Sequence, residues 1–254
     1  MLEGKVVVVT GAGTGIGKSV AQVCADQGAW VVVANRTPKH GEAAVAEIRD
    51  KGGEAIFVKV DVSDEIQVVN LIQQTISRYG RLDGLVSNAG IGGRRLGDGP
   101  AHKCTLEAWE AVMAVNLRGT FLVCKHAIPE LIKTRGAIVT MSSVLGLVGT
   151  QGLFDTHAYA ASKAGIIGLT RSIAVHYAKE GLRANCLTPG LIDTAMASRA
   201  KADEELIQRV AFWQPLKSLG EVQDVSEITA FLLSDKAAFI TGATIPVDGG
   251  WSAQ

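Results

Sequence analysis

Residues 5–17 read KVVVVTGAGTGIG, and this stretch determines which fold the chain can adopt. The run of valines is typical of a strand covered on both faces in a parallel sheet. The glycines at 11, 13, 15 and 17 allow a sharp turn and a close approach of backbone to ligand. A helix starting at Ile16 would direct its free N–H groups and positive dipole end at an anion in that turn. The stretch therefore predicts a strand, a pyrophosphate-binding turn and a helix, although a glycine turn that serves only tight packing remains an alternative.

Strand and helix patterns alternate from this turn onward. Further strands are predicted at 30–34, 56–60, 85–86, 137–141, 183–187 and 244–247, and helices at 18–28, 38–51, from 63, 105–133, 158–180 and 222–234. Thr37, Ser63 and Thr105 are predicted to begin three of these helices. The pattern indicates an α/β fold, with a doubly wound parallel sheet of seven strands and helices on both faces, in a single domain over residues 1–254. The glycine-rich segment 92–100 is predicted to be a mobile surface loop.

Composition narrows the classes of function. The 254 residues contain 25 Lys+Arg and 25 Asp+Glu, so no net charge attracts nucleic acid or an anionic membrane. We find neither an apolar run of membrane-spanning length nor a signal peptide, and we expect a cytoplasmic protein. Cys24, Cys104, Cys124 and Cys186 lack C-x-x-C spacing, so neither a metal site nor a disulfide framework is predicted.

Tyr159 and Lys163 form a Y-x-x-x-K pair on one face of a predicted helix. A nearby ammonium is expected to lower the pKa of a phenol, which is normally about 10. Such a phenol can exchange a proton with an alcohol or ketone oxygen near neutral pH. The pair alone is common by chance, so its interpretation depends on the motifs around it.

Those motifs follow one another in a family-specific order: Thr10-Gly11-x-x-x-Gly15-x-Gly17, Asn88-Ala89-Gly90, Asn116, Ser143, Tyr159-x-x-x-Lys163, Asn185 and Pro189-Gly190. In this order the chain resembles the short-chain dehydrogenase/reductase family over essentially its whole length. The resemblance implies a Rossmann fold and an NAD(P)(H)-dependent oxidoreductase that interconverts a secondary alcohol and a ketone by hydride transfer.

The resemblance also implies a role for each site residue. Tyr159 would be the general acid or base, Ser143 would orient the substrate oxygen, and Lys163 would bind the nicotinamide ribose and lower the tyrosine pKa. Asn116 would hold a water for proton relay, unless its amide only satisfies the backbone of a kinked helix. Implied cofactor contacts are Gly11, Thr14, Gly15, Ile16, Gly17, Asp61, Val62, Asn88, Ala89, Gly90, Pro189, Gly190, Ile192 and Thr194, besides Tyr159 and Lys163.

The end of the second strand predicts which dinucleotide is used. NAD-selective enzymes usually place an acid there, about 20 residues past the glycine turn, to bind the ribose 2′-OH. This chain has Asn35 followed by Arg36, and an arginine can pair with a 2′-phosphate. We therefore expect NADP(H) to be preferred. The alternative is that Arg36 is only a solvated turn residue and that Asn35 alone serves the ribose, which would leave the enzyme indifferent or NAD-preferring.

The segment before Tyr159 is unusual in length. Fifteen residues separate Ser143 from Tyr159, more than is common in the family, so this segment is expected to shape the substrate pocket. Candidate wall residues are Leu145, Leu153, Phe154 and His157, together with Met196 and Trp213 from a substrate loop at 191–219. We interpret His157 as a wall residue because the acid/base role is already filled.

A small-molecule alcohol or ketone is the expected substrate, and a homotetramer is the expected assembly. Helices 106–133 and 158–180 carry more apolar and small residues than one sheet face covers, and Ile245 to Gln254, with Trp251, would meet a second interface. Two other functions remain open, namely a nucleotide-sugar epimerase or dehydratase of the same family and a non-catalytic dinucleotide-binding protein. Net oxidation of the reduced nicotinamide by a ketone would distinguish the oxidoreductase from both.

Overall fold

The computed structural model describes residues 1–149, 154–198, 202–216 and 219–254 and contains one parallel sheet. Its strands are β1 (Val6–Thr10), β2 (Trp30–Asn35), β3 (Glu54–Lys59), β4 (Gly84–Ser87), β5 (Ala137–Met141), β6 (Arg183–Pro189) and β7 (Thr244–Val247). They lie in the order β3-β2-β1-β4-β5-β6-β7, and every neighbouring pair is parallel. The predicted doubly wound sheet of seven strands is confirmed.

Helices cover both faces of this sheet. They are α1 (Gly15–Asp26), α2 (Pro38–Asp50), α3 (Glu65–Tyr79), α4 (Leu106–Val112), α5 (Gly119–Thr134), α6 (His157–His176), α7 (Glu204–Trp213) and α8 (Val222–Leu233). Alternate valines of β1 point to opposite faces, as strand geometry requires. Val7 and Val9 pack in a core with α1, α2 and α8, whereas Val6 and Val8 pack in a second core with α3, α5 and α6.

The long helix predicted over 105–133 is interrupted. Thr105 begins it as predicted, because its hydroxyl accepts a hydrogen bond from the Ala108 N–H at 3.1 Å. A π-helical segment, Met113–Arg118, then separates α4 from α5 and contains Asn116. Such widened turns are uncommon and often occur at functional sites.

Several predicted boundaries need correction. The first helix begins at Gly15 rather than at residue 18 and ends at Asp26. Asp64, not Ser63, caps α3, since its carboxylate accepts from the N–H groups of Ile66 and Gln67, and Thr37 makes no side-chain cap bond to α2. Helix α6 ends at His176, and a separate 3-10 turn follows over Ala178–Glu180.

The segment 92–100 differs most from its prediction. It contains a 3-10 turn, Gly93–Leu96, and Gly93, Asp98 and Gly99 are buried. Composition predicted a mobile surface loop, but hydrogen bonds to the start of α6 hold this segment against the protein. In the part of the chain that the structure describes, no helix has the length and apolarity that a membrane crossing requires.

Candidate active site

The glycine turn follows β1, whose two neighbours in the sheet are β2 and β4. The strand order reverses at β1, because β2 and β3 lie on one side of it and β4 to β7 lie on the other. In open α/β sheets this switch point forms the ligand crevice at the carboxyl ends of the strands. Gly11 and Gly15 have φ values of +67° and +56°, which favour glycine. A Cβ at Gly17 would lie 2.4 Å from both the Asn88 side-chain nitrogen and the Gly11 carbonyl oxygen. The turn therefore requires glycine here, and it leads into the N-terminus of α1, which suits a pyrophosphate.

Thr10 connects the turn with the segment after β4. Its hydroxyl accepts from the N–H groups of Asn88 and Ala89, at 3.0 and 3.1 Å, and donates to the Val86 carbonyl at 3.3 Å. The Asn88 amide in turn donates to the Thr10 carbonyl at 3.0 Å. Two predicted cofactor segments, the glycine turn and Asn88–Gly90, are thus fixed to each other. In the sequence Thr10 is recognisable only as a motif residue, and no pattern there predicts this positioning role.

Thr194 approaches the same turn from the far side of the crevice. A Cβ at Gly15 would lie 3.3 Å from the Thr194 Cγ2 atom. Thr194 follows Ile192, which forms an isolated parallel bridge with Gly220. Pro189 ends β6, and Gly190 donates to the Val247 carbonyl of β7 at 3.0 Å. The residues predicted to contact pyrophosphate and nicotinamide therefore border one crevice.

Gln214 holds the backbone at Leu191, where the predicted substrate loop begins, and this contact was not predicted. Its buried side-chain oxygen accepts from the Leu191 N–H, and its amide nitrogen donates to the Leu191 carbonyl at 3.4 Å. Because glutamine is common on helix surfaces, no sequence pattern identified this one as buried.

Asn35, Arg36 and Asp61 are predicted to lie near the adenosine part of the cofactor. The Asn35 amide donates to the Thr37 carbonyl at 3.0 Å. The Arg36 guanidinium lies 3.9 Å from the Asp61 carboxylate, and its side chain is 67% exposed. Asp61 also accepts from the Ser63 hydroxyl at 2.6 Å, and Val62 beside it is buried. Arg36 is therefore a cation beside Asp61, one of the residues predicted to flank the adenine.

Lys163 is anchored inside the protein, one helical turn from Tyr159. Its Nζ donates to the Met141 carbonyl at 2.8 Å and lies 5.5 Å from the centroid of the Tyr159 ring. A Cβ at Gly90 would lie 3.5 Å from this Nζ, so the segment after β4 closes over the lysine. Burial disfavours the ammonium and lowers the Lys163 pKa to about 8.

Burial acts on the tyrosine in the direction opposite to the effect expected of Lys163. Burial raises the pKa of the Tyr159 phenol, and the group that opposes this rise is Ser143, through a hydrogen bond. The sequence pattern identifies a neighbouring ammonium but not the desolvation that both groups undergo.

The two neighbouring serines have different surroundings. The Ser142 hydroxyl donates to the Lys163 carbonyl at 2.7 Å and so attaches α6 to the end of β5. The Ser143 Oγ accepts from the Leu145 N–H at 3.2 Å and bonds with Tyr159. This difference supports the expectation that Ser143, rather than Ser142, contacts the substrate.

Asn116 connects the π-helical segment with two other parts of the site. Its side-chain oxygen accepts from the Ile91 N–H at 2.8 Å, and its amide donates to the Ile91 carbonyl and to the Ser162 hydroxyl at 3.0 and 3.1 Å. Ser162 in turn donates to the Tyr159 carbonyl at 2.7 Å. The amide therefore bonds outside its own helix, and it orders the chain that follows Gly90.

The predicted pocket residues are not all brought together. Phe154 packs edge-on against Trp213 and Trp251, with ring centroids 5.9 and 5.7 Å apart, and the two tryptophans stack at 5.1 Å. Trp251 is thus buried within its own chain, which corrects its predicted place at an interface. Met196 is exposed, Leu145 is half-buried, and Leu153 lies outside the described residues. The His157 Nδ1 accepts from the Ala101 N–H at 2.9 Å.

Comparison with known proteins identifies the family. A family model described as "Enoyl-(Acyl carrier protein) reductase" matches residues 11–252. The chain is 40% identical, over 98% of its length and 97% of the relative's, to cis-4-hydroxycyclohexanecarboxylate dehydrogenase of Sinomonas cyclohexanicum. It is 37% identical to 3-oxoacyl-[acyl-carrier-protein] reductase FabG of Thermotoga maritima, over 98% of both chains. The chain belongs to the short-chain dehydrogenase/reductase family.

A solved structure agrees with this assignment. Levodione reductase superposes with a TM-score of 0.92 at 33% identity, over 100% of this chain and 99% of that one. The family uses nicotinamide dinucleotides, and this chain is one of its oxidoreductases. Among the described residues, no three His, Cys, Asp or Glu side chains form a set that could hold a metal ion.

Burial of Lys163 predicts a pH dependence of stability. Its pKa is about 8 in the folded protein, below the usual lysine value of about 10.4. Between these values the unfolded chain binds more protons at this residue, so the group makes stability rise with pH across that window. We expect the urea midpoint of the wild type to gain more between about pH 7.5 and pH 9.5 than that of Lys163→Met.

Protein concentration is held constant in this comparison, because subunit association shifts the midpoint. Lys59→Met, which removes an exposed lysine of β3, is the matched control and should keep the wild-type pH dependence. An identical pH dependence in Lys163→Met and the wild type would contradict the expected effect.

Proposed function

We propose that this protein is an NAD(P)(H)-dependent dehydrogenase or reductase in which Tyr159 exchanges the proton with a secondary alcohol or ketone. One observation carries the proposal: Ser143 and Lys163 flank Tyr159 at the carboxyl end of β5, beside the crevice that suits a dinucleotide. The resemblance to family dehydrogenases and reductases supports the same reaction. In this proposal residues 1–254 act as one catalytic unit, with 191–219 as the substrate loop.

The dinucleotide, when bound, supplies a hydride to the ketone carbon or accepts one from the alcohol carbon. In reduction the Tyr159 hydroxyl donates its proton to the ketone oxygen, and in oxidation the phenolate accepts the proton of the alcohol. Ser143 donates a second hydrogen bond that orients the oxygen. Lys163 binds the nicotinamide ribose with a protonated Nζ that stabilises the phenolate, and Asn116 orders a water for proton exchange with solvent.

The proposed substrate is a secondary alcohol, or the corresponding ketone, on a six-membered alicyclic ring. The name of the Sinomonas relative describes such an alcohol. Phe154 and Trp213 supply an aromatic surface where the segment before Tyr159 meets the substrate loop. Leu145, Met196 and His157 are proposed as the remaining pocket residues. The names that refer to acyl carrier protein point to a second substrate class, a 3-oxoacyl or enoyl thioester, which the same assay can distinguish.

Substitution of the proposed proton donor tests this reaction. The wild type should oxidise NADPH with cyclohexanone faster than with an acetoacetyl or crotonyl thioester. Tyr159→Phe keeps the ring but removes the proton, so kcat should fall by about 10²–10⁴ while dinucleotide binding persists. Steady-state kinetics and dinucleotide titration by fluorescence measure both effects.

Tyr177→Phe is the matched control. Tyr177 follows the end of the same helix, so its substitution should leave kcat unchanged. Retention of more than about a tenth of wild-type kcat in Tyr159→Phe would overturn the assignment of the proton donor. Faster turnover of a thioester would instead overturn the proposed substrate class.

NADP(H) is the proposed preferred cofactor, with NAD(H) as the alternative. The supporting feature is Arg36, an exposed cation beside Asp61. Arg36 follows Asn35, and Asn35 occupies the position at which NAD-selective enzymes usually carry an acid. A guanidinium–phosphate pair contributes about 1.5–3 kcal/mol, or roughly ten- to a hundredfold in affinity. Asn35 would serve the ribose hydroxyls.

The wild type should therefore have a higher kcat/KM for NADPH than for NADH. The double variant Asn35→Asp, Arg36→Ala should shift the ratio toward NADH, since it removes the cation and adds an acid that repels a 2′-phosphate. Arg78→Ala, which removes a surface arginine paired with Glu54, should keep the wild-type ratio. A wild-type preference for NADH, or an unchanged ratio in the double variant, would contradict the proposal.

A cytoplasmic homotetramer is proposed as the assembly. Exposed apolar side chains lie along α4, α5 and α6, including Leu106 at 73%, Phe121 at 46% and Val175 at 79% exposure. Such a surface suits subunit contacts. Multi-angle light scattering at micromolar concentration should give about four times the chain mass of 26.6 kDa. Phe121→Glu together with Val175→Glu should shift the mass toward smaller species, and a stable wild-type monomer would exclude the tetramer.

A further inference from the structure

The carboxylate of Asp98 lies inside the protein, against the start of the helix that carries Tyr159. The residue is only 5% exposed. One carboxylate oxygen accepts from the Ala158 N–H and the other from the Tyr159 N–H, each at 3.0 Å. The Cys104 thiol lies 3.6 Å from the oxygen that binds Ala158. Each oxygen of this buried carboxylate is thus directed at an amide of α6.

These two amides would otherwise lack an acceptor. The first N–H groups of a helix have no partner within the helix and usually bind the side chain of the N-cap residue. The N-cap of α6 is Thr156, whose side chain makes no such bond. Asp98 therefore supplies the cap from a distant part of the sequence, and its negative charge lies at the positive end of the helix dipole.

Neighbouring contacts hold the same two segments together. The His157 N–H donates to the Gly99 carbonyl at 3.2 Å, so three successive amides of α6 bind residues 98 and 99. The Arg94 guanidinium pairs with the Asp155 carboxylate at 3.0 Å. The contact between Ala101 and the His157 ring adds a further attachment. The chain after Gly90 is thereby fixed to the residues immediately before and at Tyr159.

The following turn of α6 is attached to the sheet by different contacts. Lys163 binds the Met141 carbonyl through its Nζ, and its own carbonyl accepts from Ser142. These bonds fix the lysine but do not act on the first turn of the helix. Asp98 does act on that turn, because its carboxylate binds the backbone N–H of Tyr159 itself.

We propose that Asp98 is a positioning residue for Tyr159, one that holds the phenol in place relative to Ser143 and Lys163. The proposal rests on the proposed role of Tyr159 as the proton donor. Asp98 acts through the backbone of α6 and does not contact the reacting atoms. Loss of its two hydrogen bonds should displace the first turn of the helix, and small displacements of a reacting group are costly to turnover.

Asp98→Asn tests this role with almost no change in shape. The side-chain NH₂ group of the substituted asparagine would face one of the two backbone N–H groups. Because two donors cannot form a hydrogen bond, one of the two bonds to α6 is lost. We expect kcat with cyclohexanone to fall about 10- to 100-fold. The solvent deuterium isotope effect on kcat should increase because proton transfer from a displaced phenol becomes slower. The dissociation constant for NADPH, measured by fluorescence titration, should stay within about twofold of the wild type.

Cys104→Ala is the matched control, since it removes the third contact of Asp98 and leaves both bonds to α6. Its kcat should remain within about twofold of the wild type. All assays are run at temperatures where circular dichroism shows each variant to be folded. If Asp98→Asn lowered the melting temperature but left kcat and the isotope effect unchanged, the proposal would be overturned. It would also be overturned if the variant lost NADPH affinity by the same factor as kcat.

A measurement on the wild type remains decisive if Asp98→Asn fails to fold. Amide hydrogen exchange by NMR should show Ala158 and Tyr159 protected more strongly than Ile66 and Gln67, the capped amides of the exposed start of α3. Equal or weaker protection would overturn the proposal. Turnover by Tyr159→Phe would refute the proposed function itself, whereas an inactive Tyr159→Phe beside a fully active Asp98→Asn would refute only the role of Asp98.

Discussion

Parallel pairing of β1 with β4 is the constraint on which the site depends. It brings the carboxyl ends of two strands together at the point where the chain changes direction across the sheet, so the segments that follow them face one crevice. The hydroxyl of Thr10 fixes this geometry by binding two successive amides after β4. The glycine turn before α1 then lies beside Asn88, and no side chain fits between them.

The carboxyl edge of the sheet also explains the environment of Lys163. The lysine is only 4% exposed, reaches the end of β5 and is covered by the backbone at Gly90. Burial makes its ammonium costly, which lowers its pKa, while the same exclusion of water raises the pKa of Tyr159. The two pKa values therefore shift in opposite directions and separate, because both groups share one desolvated environment, and Ser143 is the polar partner of the phenol.

Local sequence patterns predicted the features that depend on local physics. The valines of β1, the φ requirements of Gly11 and Gly15 and the cap at Thr105 each follow from a few adjacent residues, and each is present in the structure. The order of the motifs identified the family. The π-helical segment around Asn116 could not be predicted, because a widened turn depends on contacts with Ile91 and Ser162 rather than on helix propensity.

Two larger differences share one physical cause, since each involves residues that are distant in sequence. Trp251 is buried because Phe154 and Trp213 from two other segments pack against it. Glycine and proline made the segment 92–100 resemble a solvated loop, yet Asp98 within it satisfies helix amides about 60 residues later. An aspartate among glycines has no periodic pattern that would reveal such a partner. The residues that carry the chemistry are thus readable from motifs, whereas those that hold them in place become visible only in the folded chain.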